Sequence, residues 1–294
     1  MKRESKIAQF GFFSVDKPSG IVSSAVVNKL KWLTGVPCGH MGTLDPLASG
    51  VLPVGVGNAA RLFDYFLEKE KEYIAEFTFG VDSDTLDSTG TLRAEGYVPD
   101  EGAFSSVLPT FIGDILQIPP KYSAKNVNGK RGYELARAGV EFELAPKKVR
   151  IHAIELLGKS EEKADTYRFK IRCGGGTYIR SLARDIAAAL DTKAVMSSLL
   201  RTQSGYFTLE KSIPFALLEQ DPPIEELEKY LIPTEKVLPF EVLPLTEKQE
   251  EKLYNGQRIA VEEADGLYKI YKDGGFYGIA EVSNGLAKAK TKLC

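Results

Sequence analysis

The stretch Gly39-His40-Met41-Gly42-Thr43-Leu44-Asp45-Pro46-Leu47-Ala48-Ser49-Gly50 carries the residue best mounted for chemistry, Asp45. Glycines at 39, 42 and 50 permit backbone angles that a Cβ resists, which leaves room for close approach. Pro46 biases Asp45 away from helical angles and fixes the next φ, so the carboxylate leaves the chain in a restricted direction. That is a rigid mount for a nucleophile. The same residues also read as an ordinary short helix, with Asp45 as N-cap, Pro46 at the first helical position and Gly50 past its end.

A second candidate is Arg180. Three glycines lead to Thr177, a plausible N-cap, and Ile179, Leu182, Ala183, Ile186 and Leu190 then form an apolar helical stripe. Arg180 falls in the first turn, where the helix dipole disfavours a cation, so a nearby anion is expected and Asp45 is the one suggested. A surface arginine bonded to solvent is the plain alternative. Tyr73, Ala75, Phe77 and Phe79 share one face of an alternating run ended by Gly80, the pattern of a half-buried strand. The run from Asp82 to Gly90 is polar turn material without calcium-loop spacing.

Composition bounds the answer. A chain of 294 residues, 43% hydrophobic and 27% charged, reads as a soluble globular protein of about two domains. No apolar run approaches the about 18 residues of a membrane span, and the basic start is not followed by a signal core, so a cytoplasmic location is expected. Cys38, Cys173 and Cys294 are too few and too scattered for a disulfide frame, and with His40 and His152 they assemble no metal cluster. Carboxylate sites for magnesium stay open on this count.

Net charge of −2 says nothing of nucleic acid, but its distribution does. Between Pro119 and Arg150 eight Lys or Arg, among them Lys121, Lys125 and Lys130, stand against three Glu. A phosphate backbone is attracted to such a segment, although a solvated charged face is the commoner cause. Serines precede a helical pattern from about Ser23 to Leu33 as cap candidates. Phe169, Ile171 and Cys173 point inward from another strand, and six prolines between Ser212 and Pro244 mark a connector. Short alternating runs at 257–261, 267–271 and 276–282 read as a small β domain with a Lys-rich end.

The Asp45 run, followed by Val51-Leu52-Pro53-Val54-Gly55-Val56-Gly57 and Ala60-Arg61-Leu62, resembles the signature of the tRNA pseudouridine-55 synthase (TruB) family, in its bacterial form. The segment from Gln117 to Gly139 resembles that family's thumb insertion, and Gly176-Thr177-Tyr178-Ile179-Arg180-Ser181 its third motif. The resemblance covers most of residues 10 to 207. It implies an α+β pseudouridine synthase fold with a mixed, mostly antiparallel central sheet. A catalytic domain over 1–240 with the thumb at about 117–150, and a small PUA-like RNA-binding β domain over 241–294, complete that expectation.

The implied reaction isomerises a uridine in the T-loop of tRNA: uracil is detached at N1, turned and rejoined through C5. It is redox-neutral and implies no dissociable cofactor. Asp45, Tyr73 and Arg180 match the family's catalytic residues, while His40, Tyr178, Leu199 and the thumb lysines match substrate-binding positions. An ionised carboxylate can stabilise or trap the electron-poor sugar carbon left when a glycosidic bond breaks. Attack on the ribose, attack on the base and help with proton loss at C2′ all stay open for Asp45. Tyr73 is assigned to stacking on uracil and to proton transfer, and Arg180 is expected to lower the Asp45 pKa. The implied partner is the tRNA T-arm, with no membrane, no required protein partner and a monomeric enzyme.

Three other readings compete. Gly55-Val56-Gly57-Asn58-Ala59-Ala60 fits a dinucleotide fingerprint, though Pro53 and the lack of a repeated βαβ pattern oppose it. A non-catalytic tRNA chaperone would use the same flipping and clamping, and a guide-RNA-dependent relative would share the catalytic residues. Leu200 and Gln203 stand where the family usually has basic residues, which weakens the case for RNA contacts there.

Overall fold

The computed structural model describes residues 7, 10–66, 69–123, 125–127 and 129–293, so the basic start at 1–6 and Cys294 lie outside the described residues. Among them a mixed, mostly antiparallel sheet of eleven strands runs through the larger part of the chain. Its main path is Ile213–Pro214, Gly11–Lys17, Ser49–Val56, Ala194–Ser204, Lys71–Phe79, Thr166–Cys173, Lys147–Lys159 and Gly113–Gln117. The alternation at Tyr73, Ala75, Phe77 and Phe79 appears as four buried inner residues of the Lys71–Phe79 strand. Antiparallel partners on both of its sides make that strand central.

Helices Ser23–Thr34 and Ile179–Ala189 cover one face. They bring Val26, Leu30, Leu33, Leu182 and Ile186 into one core with Phe13, Val54, Ala75 and Phe77. Each such side chain contributes about 1.5–3 kcal/mol by leaving water. Phe12, one residue from Phe13, points the other way, into a second core with Val51, Leu62, Phe66 and Phe207. Strand Gly11–Lys17 is thus buried on both faces.

The dinucleotide reading fails on topology. Ser49–Val56 is antiparallel to Gly11–Lys17 and Cys38–His40, and its parallel neighbour Ala194–Ser204 is far along the chain, whereas a βαβ unit needs the strand after the crossover, here Lys71–Phe79, to lie beside it in parallel. Pro53 is tolerated inside this strand for a local reason. On one side the parallel partner ends at Gly50 and the next partner begins at Val54, so the missing N–H forfeits no ladder bond.

A second sheet holds Glu241–Val242, Gly266–Lys272, Gly275–Ser283, Leu286–Lys292 and Ile259–Ala260, around Leu243, Leu253, Ile270 and Val282. Ile279 and Leu293 join the second core of the large sheet, and Asn58 Nδ2 donates to the Leu293 carbonyl at 2.7 Å. The lysines at 288, 290 and 292 belong to a strand rather than a loose basic end. Helix Glu247–Tyr254 went unread in the sequence, although its Thr246-x-x-Gln249 capping box is a start signal. No helix among the described residues is long and apolar enough to cross a membrane.

Candidate active site

Asp45 lies in a turn, not a helix: the Ala48 N–H donates to the Asp45 carbonyl at 3.1 Å and the chain then enters a strand. Pro46 and Gly50 shape that turn instead of capping a helix. Gly50 has φ +95°, and a Cβ on it would lie 2.3 Å from the Arg201 carbonyl, so only glycine lets the loop join the sheet there.

Almost every residue of the loop is tied down. Ser23 Oγ donates to the Leu44 carbonyl at 2.7 Å and accepts from the Leu44 N–H at 2.9 Å. Expected as a helix cap, Ser23 is used to hold the loop, and the N-cap position falls on Val22, which has no side-chain cap bond. The Gly20 N–H donates to the Pro46 carbonyl at 2.8 Å, and Ser19 Oγ to that of Leu47 at 2.7 Å. Arg201, 1% exposed, donates from Nε to the Val51 carbonyl at 2.7 Å and from its Nη2 to that of Gly42 at 3.1 Å. Lys17 Nζ, fully buried, donates to the carbonyls of Pro18 and Ile21 at 2.8 Å.

Arg180 joins the loop to the rest of the site. Its Nε lies 2.9 Å from Asp45 Oδ2 and an Nη1 3.5 Å from Asp87 Oδ2. The remaining donors reach the Thr85 and Tyr122 carbonyls at 3.0 Å each. One 5%-exposed guanidinium therefore fastens the Asp45 loop, the acidic turn and the thumb together. The first-turn cation has two carboxylates beside it, which offsets its clash with the helix dipole. Thr177 does not cap this helix: its hydroxyl donates back to the Gly174 carbonyl at 3.0 Å, and Tyr178 is the N-cap.

These groups surround a cleft of about 750 Å³, lined by Asp45, Tyr73, Tyr178, Arg180 and Leu199 among others. The aligned residues also fit a known family. Residues 31–179 match the TruB family pseudouridylate synthase (N terminal domain), and 242–291 the Pseudouridine synthase II TruB, C-terminal. The tRNA pseudouridine synthase B of Caldanaerobacter subterraneus is 39% identical over 92% of this chain and 95% of its own.

The chain belongs to the TruB family.

The tRNA pseudouridine synthase B of Bacillus licheniformis is 42% identical over 78% of this chain and 76% of its own. In fold, the TruB chain is similar to a chain of a Cbf5-Nop10-Gar1 complex, with a TM-score of 0.69 at 24% identity over 97% of this chain and 85% of that one.

The structure brings five of the candidates from the sequence to one cleft and leaves four outside its lining. His40 sits on a short strand opposite Val54, with a buried Nδ1 that has no hydrogen-bond partner among the described residues. Burial pushes its imidazole below the usual range, which favours the neutral form. Lys121, Lys125 and Lys130 are not in the lining; the thumb enters it through Tyr122, Ser123, Tyr133 and Arg137.

Three further charged residues, Lys71, Asp87 and Arg201, line the cleft, and Lys17 lies beside the Asp45 loop with its Nζ 3.4 Å from the Pro46 carbonyl. Asp87 was visible only as one of several acids in a polar turn. Here it accepts from Thr85 Oγ1 at 2.8 Å and from the Thr89 N–H at 3.0 Å, which aims its other oxygen at Arg180. Arg201 lies between Leu200 and Gln203, but nothing in the sequence distinguishes a buried arginine from an exposed one.

Two pKa directions bear on the chemistry. Burial pushes the Asp45 carboxyl above its ordinary 3.8; Arg180 pulls the other way, Asp87 adds to the rise, and Lys17 opposes it. The expected lowering by Arg180 is present but burial outweighs it. Burial also pushes the Tyr73 phenol up to about 12, against the pull of the Arg201 guanidinium beside it. That phenol stays protonated near neutral pH.

Proposed function

We propose that this chain isomerises uridine to pseudouridine at position 55, in the T-loop of tRNAs. The observation that carries the reading is the Asp45 carboxylate, held 2.9 Å from a buried Arg180 on a loop bonded at nearly every residue. Family membership narrows the reaction class, and the names of the curated relatives narrow the substrate to tRNA.

In this reading the target base is flipped out of the RNA loop, at a cost of a few kcal/mol, and enters the cleft. Asp45, Tyr73 and Arg180 are the catalytic residues. The N1–C1′ bond breaks, the sugar carbon becomes electron-poor, and the Asp45 anion stabilises or traps it. Uracil turns, C5 bonds to C1′, C5 loses its proton and N1 gains one. Atoms and charge balance without oxidant or reductant. Tyr73 stacks on the ring and, being protonated, acts as a donor rather than as a standing base. Arg180 orients Asp45 and limits the rise of its pKa.

Tyr178 and Leu199 bound the base pocket, and His40 acts on the RNA outside it. Lys121, Lys125 and Lys130 attract phosphate from the thumb. We assign catalysis to 1–240, with the thumb at about 117–150, and RNA binding by the β sheet to 241–294. The enzyme works in the cytoplasm as a monomer, without guide RNA, protein partner or cofactor; the long thumb favours that independence.

The test is pseudouridine formation in an unmodified tRNA transcript, with pure protein and no guide RNA. Wild type should modify the T-loop uridine while Asp45→Asn forms no product and still binds RNA. Wild-type turnover by Asp45→Asn would remove Asp45 from the chemistry. No product from either protein, with binding intact, would favour the chaperone or guide-dependent reading.

A further inference from the structure

Two cations besides Arg180, Arg201 and Lys71, line the cleft close to Tyr73. Arg180 is paired with both Asp45 and Asp87. Arg201 also lines the cleft, is 1% exposed, and bonds to the carbonyls of Val51, Gly42 and Thr43. Among the described residues no carboxylate forms an ion pair with it. A charge taken out of water costs several kcal/mol unless an opposite charge compensates it, and carbonyl dipoles do so only in part. Lys71, 8% exposed, lines the same cleft.

Between these two cations the backbone is bare. A Cβ built on Gly42 would lie 3.9 Å from Lys71 Cε and 4.0 Å from Arg201 Nη1, so a side chain there would fill the gap they flank. Gly42 has φ +131°, an angle that favours glycine. Tyr73 is directly opposite Arg201 across the sheet, and Lys71 shares the face of Tyr73 one strand repeat away, about 7 Å. A base on Tyr73 thus leaves its own backbone within reach of both cations. Burial and the neighbouring Arg201 pull the Lys71 ammonium down to about 8, which an incoming anion would reverse.

We propose that Lys71 and Arg201, across the bare face of Gly42, form a seat for one backbone phosphate of the flipped nucleotide. The inference rests on the proposed activity, because it takes the occupant of the cleft to be a flipped nucleotide. The seat recognises a phosphodiester rather than a base, and holds the sugar in place over Asp45 while the uracil turns. This makes Lys71 and Arg201 binding residues for a step in which the detached base has no covalent tether.

The test uses a T-arm RNA hairpin in which each phosphodiester flanking the target uridine is replaced, one at a time, by an uncharged methylphosphonate. Turnover and hairpin affinity are both measured with wild type, Lys71→Met and Lys71→Arg. At one linkage the replacement should lower wild-type kcat/KM about 10- to 100-fold, the loss expected when a buried charge loses a charged partner. Lys71→Arg should keep that penalty and Lys71→Met should lose most of it. A wild-type penalty below about twofold at both linkages, in turnover and in affinity, would overturn the seat, as would an equal penalty in Lys71→Met. Affinity reads the seat even without turnover, so absence of pseudouridine on the unmodified hairpin would overturn the proposed reaction separately.

Discussion

The Asp45 loop and the thumb both face the cleft, and they are built in opposite ways. From Gly42 to Leu47 the loop is bonded to Arg201, Ser23, Gly20 and Ser19, groups drawn from two separate parts of the chain. The thumb has a two-residue-per-strand hairpin, Asn126–Val127 with Lys130–Arg131, and the short helix Gly132–Arg137. Its lysines at 121, 125 and 130 are exposed or half-buried and make no ion pair among the described residues. In the proposed reaction the Asp45 carboxylate has to be held to a fraction of an ångström, which the over-determined loop allows. A segment that first meets RNA gains from reach and charge instead. Among the described residues Arg180 is the one that bonds to both, through Asp45 and the Tyr122 carbonyl.

The largest expected effect breaks that bridge. Arg180→Gln removes the cation from two carboxylates and should lower kcat by about 10³-fold, with a smaller change in KM, as measured by single-turnover pseudouridine formation. A loss confined to KM would mean that Arg180 serves the thumb rather than Asp45.

Loosening the loop comes next. Ser23→Ala leaves both the N–H and the carbonyl of Leu44 without their partner, which should cost about 1–3 kcal/mol in denaturant unfolding and lower kcat in proportion. An unchanged kcat would show that Asp45 keeps its position without the Ser23 bonds to Leu44.

A titration sharpens the same contrast. The Asp45 carboxyl is pushed above 3.8 and the reaction needs its anion, so activity is full above the raised pKa and falls as pH drops through it. The acid limb of the single-turnover rate should therefore lie above that of an unperturbed carboxylate. Arg180→Gln should move the residual limb higher still, since the guanidinium opposes the rise. A limb at or below 3.8 would contradict the burial of Asp45 as the dominant cause.

The smallest effect per residue belongs to the thumb. Lys121, Lys125 and Lys130 changed together to Ala should weaken RNA affinity and reduce its salt slope by about 2–3, with kcat unchanged. Unaltered affinity and slope would show that these lysines face solvent only.

Much of the site was legible because its parts are local. The Lys71–Phe79 strand declares itself by alternation and Ile179–Ala189 by its apolar stripe, and the placement of Arg180 in a first turn pointed to a missing anion. The three thumb lysines, by contrast, were chosen for charge, while the thumb residues at the cleft are Tyr122, Ser123, Tyr133 and Arg137. Charge density in a sequence does not say which residues of a segment the fold turns toward a cleft. Ser23 misled for another reason: a serine before a helix has the same local signature whether it caps that helix or holds a loop twenty-one residues away.

The amino-acid sequence by itself determined the mount of Asp45, the periodicity of the central strands and helices, and the motifs that place the chain in its family. These rest on residue type and spacing within a few turns of chain. Only the tertiary structure decided that Lys71, Asp87 and Arg201 line the cleft, that Lys17 lies beside the Asp45 loop, and that burial rather than Arg180 sets the direction of the Asp45 pKa. Burial and charge pairing depend on groups brought together from strands far apart in the chain, and no local pattern encodes how much water the fold removes from a carboxylate.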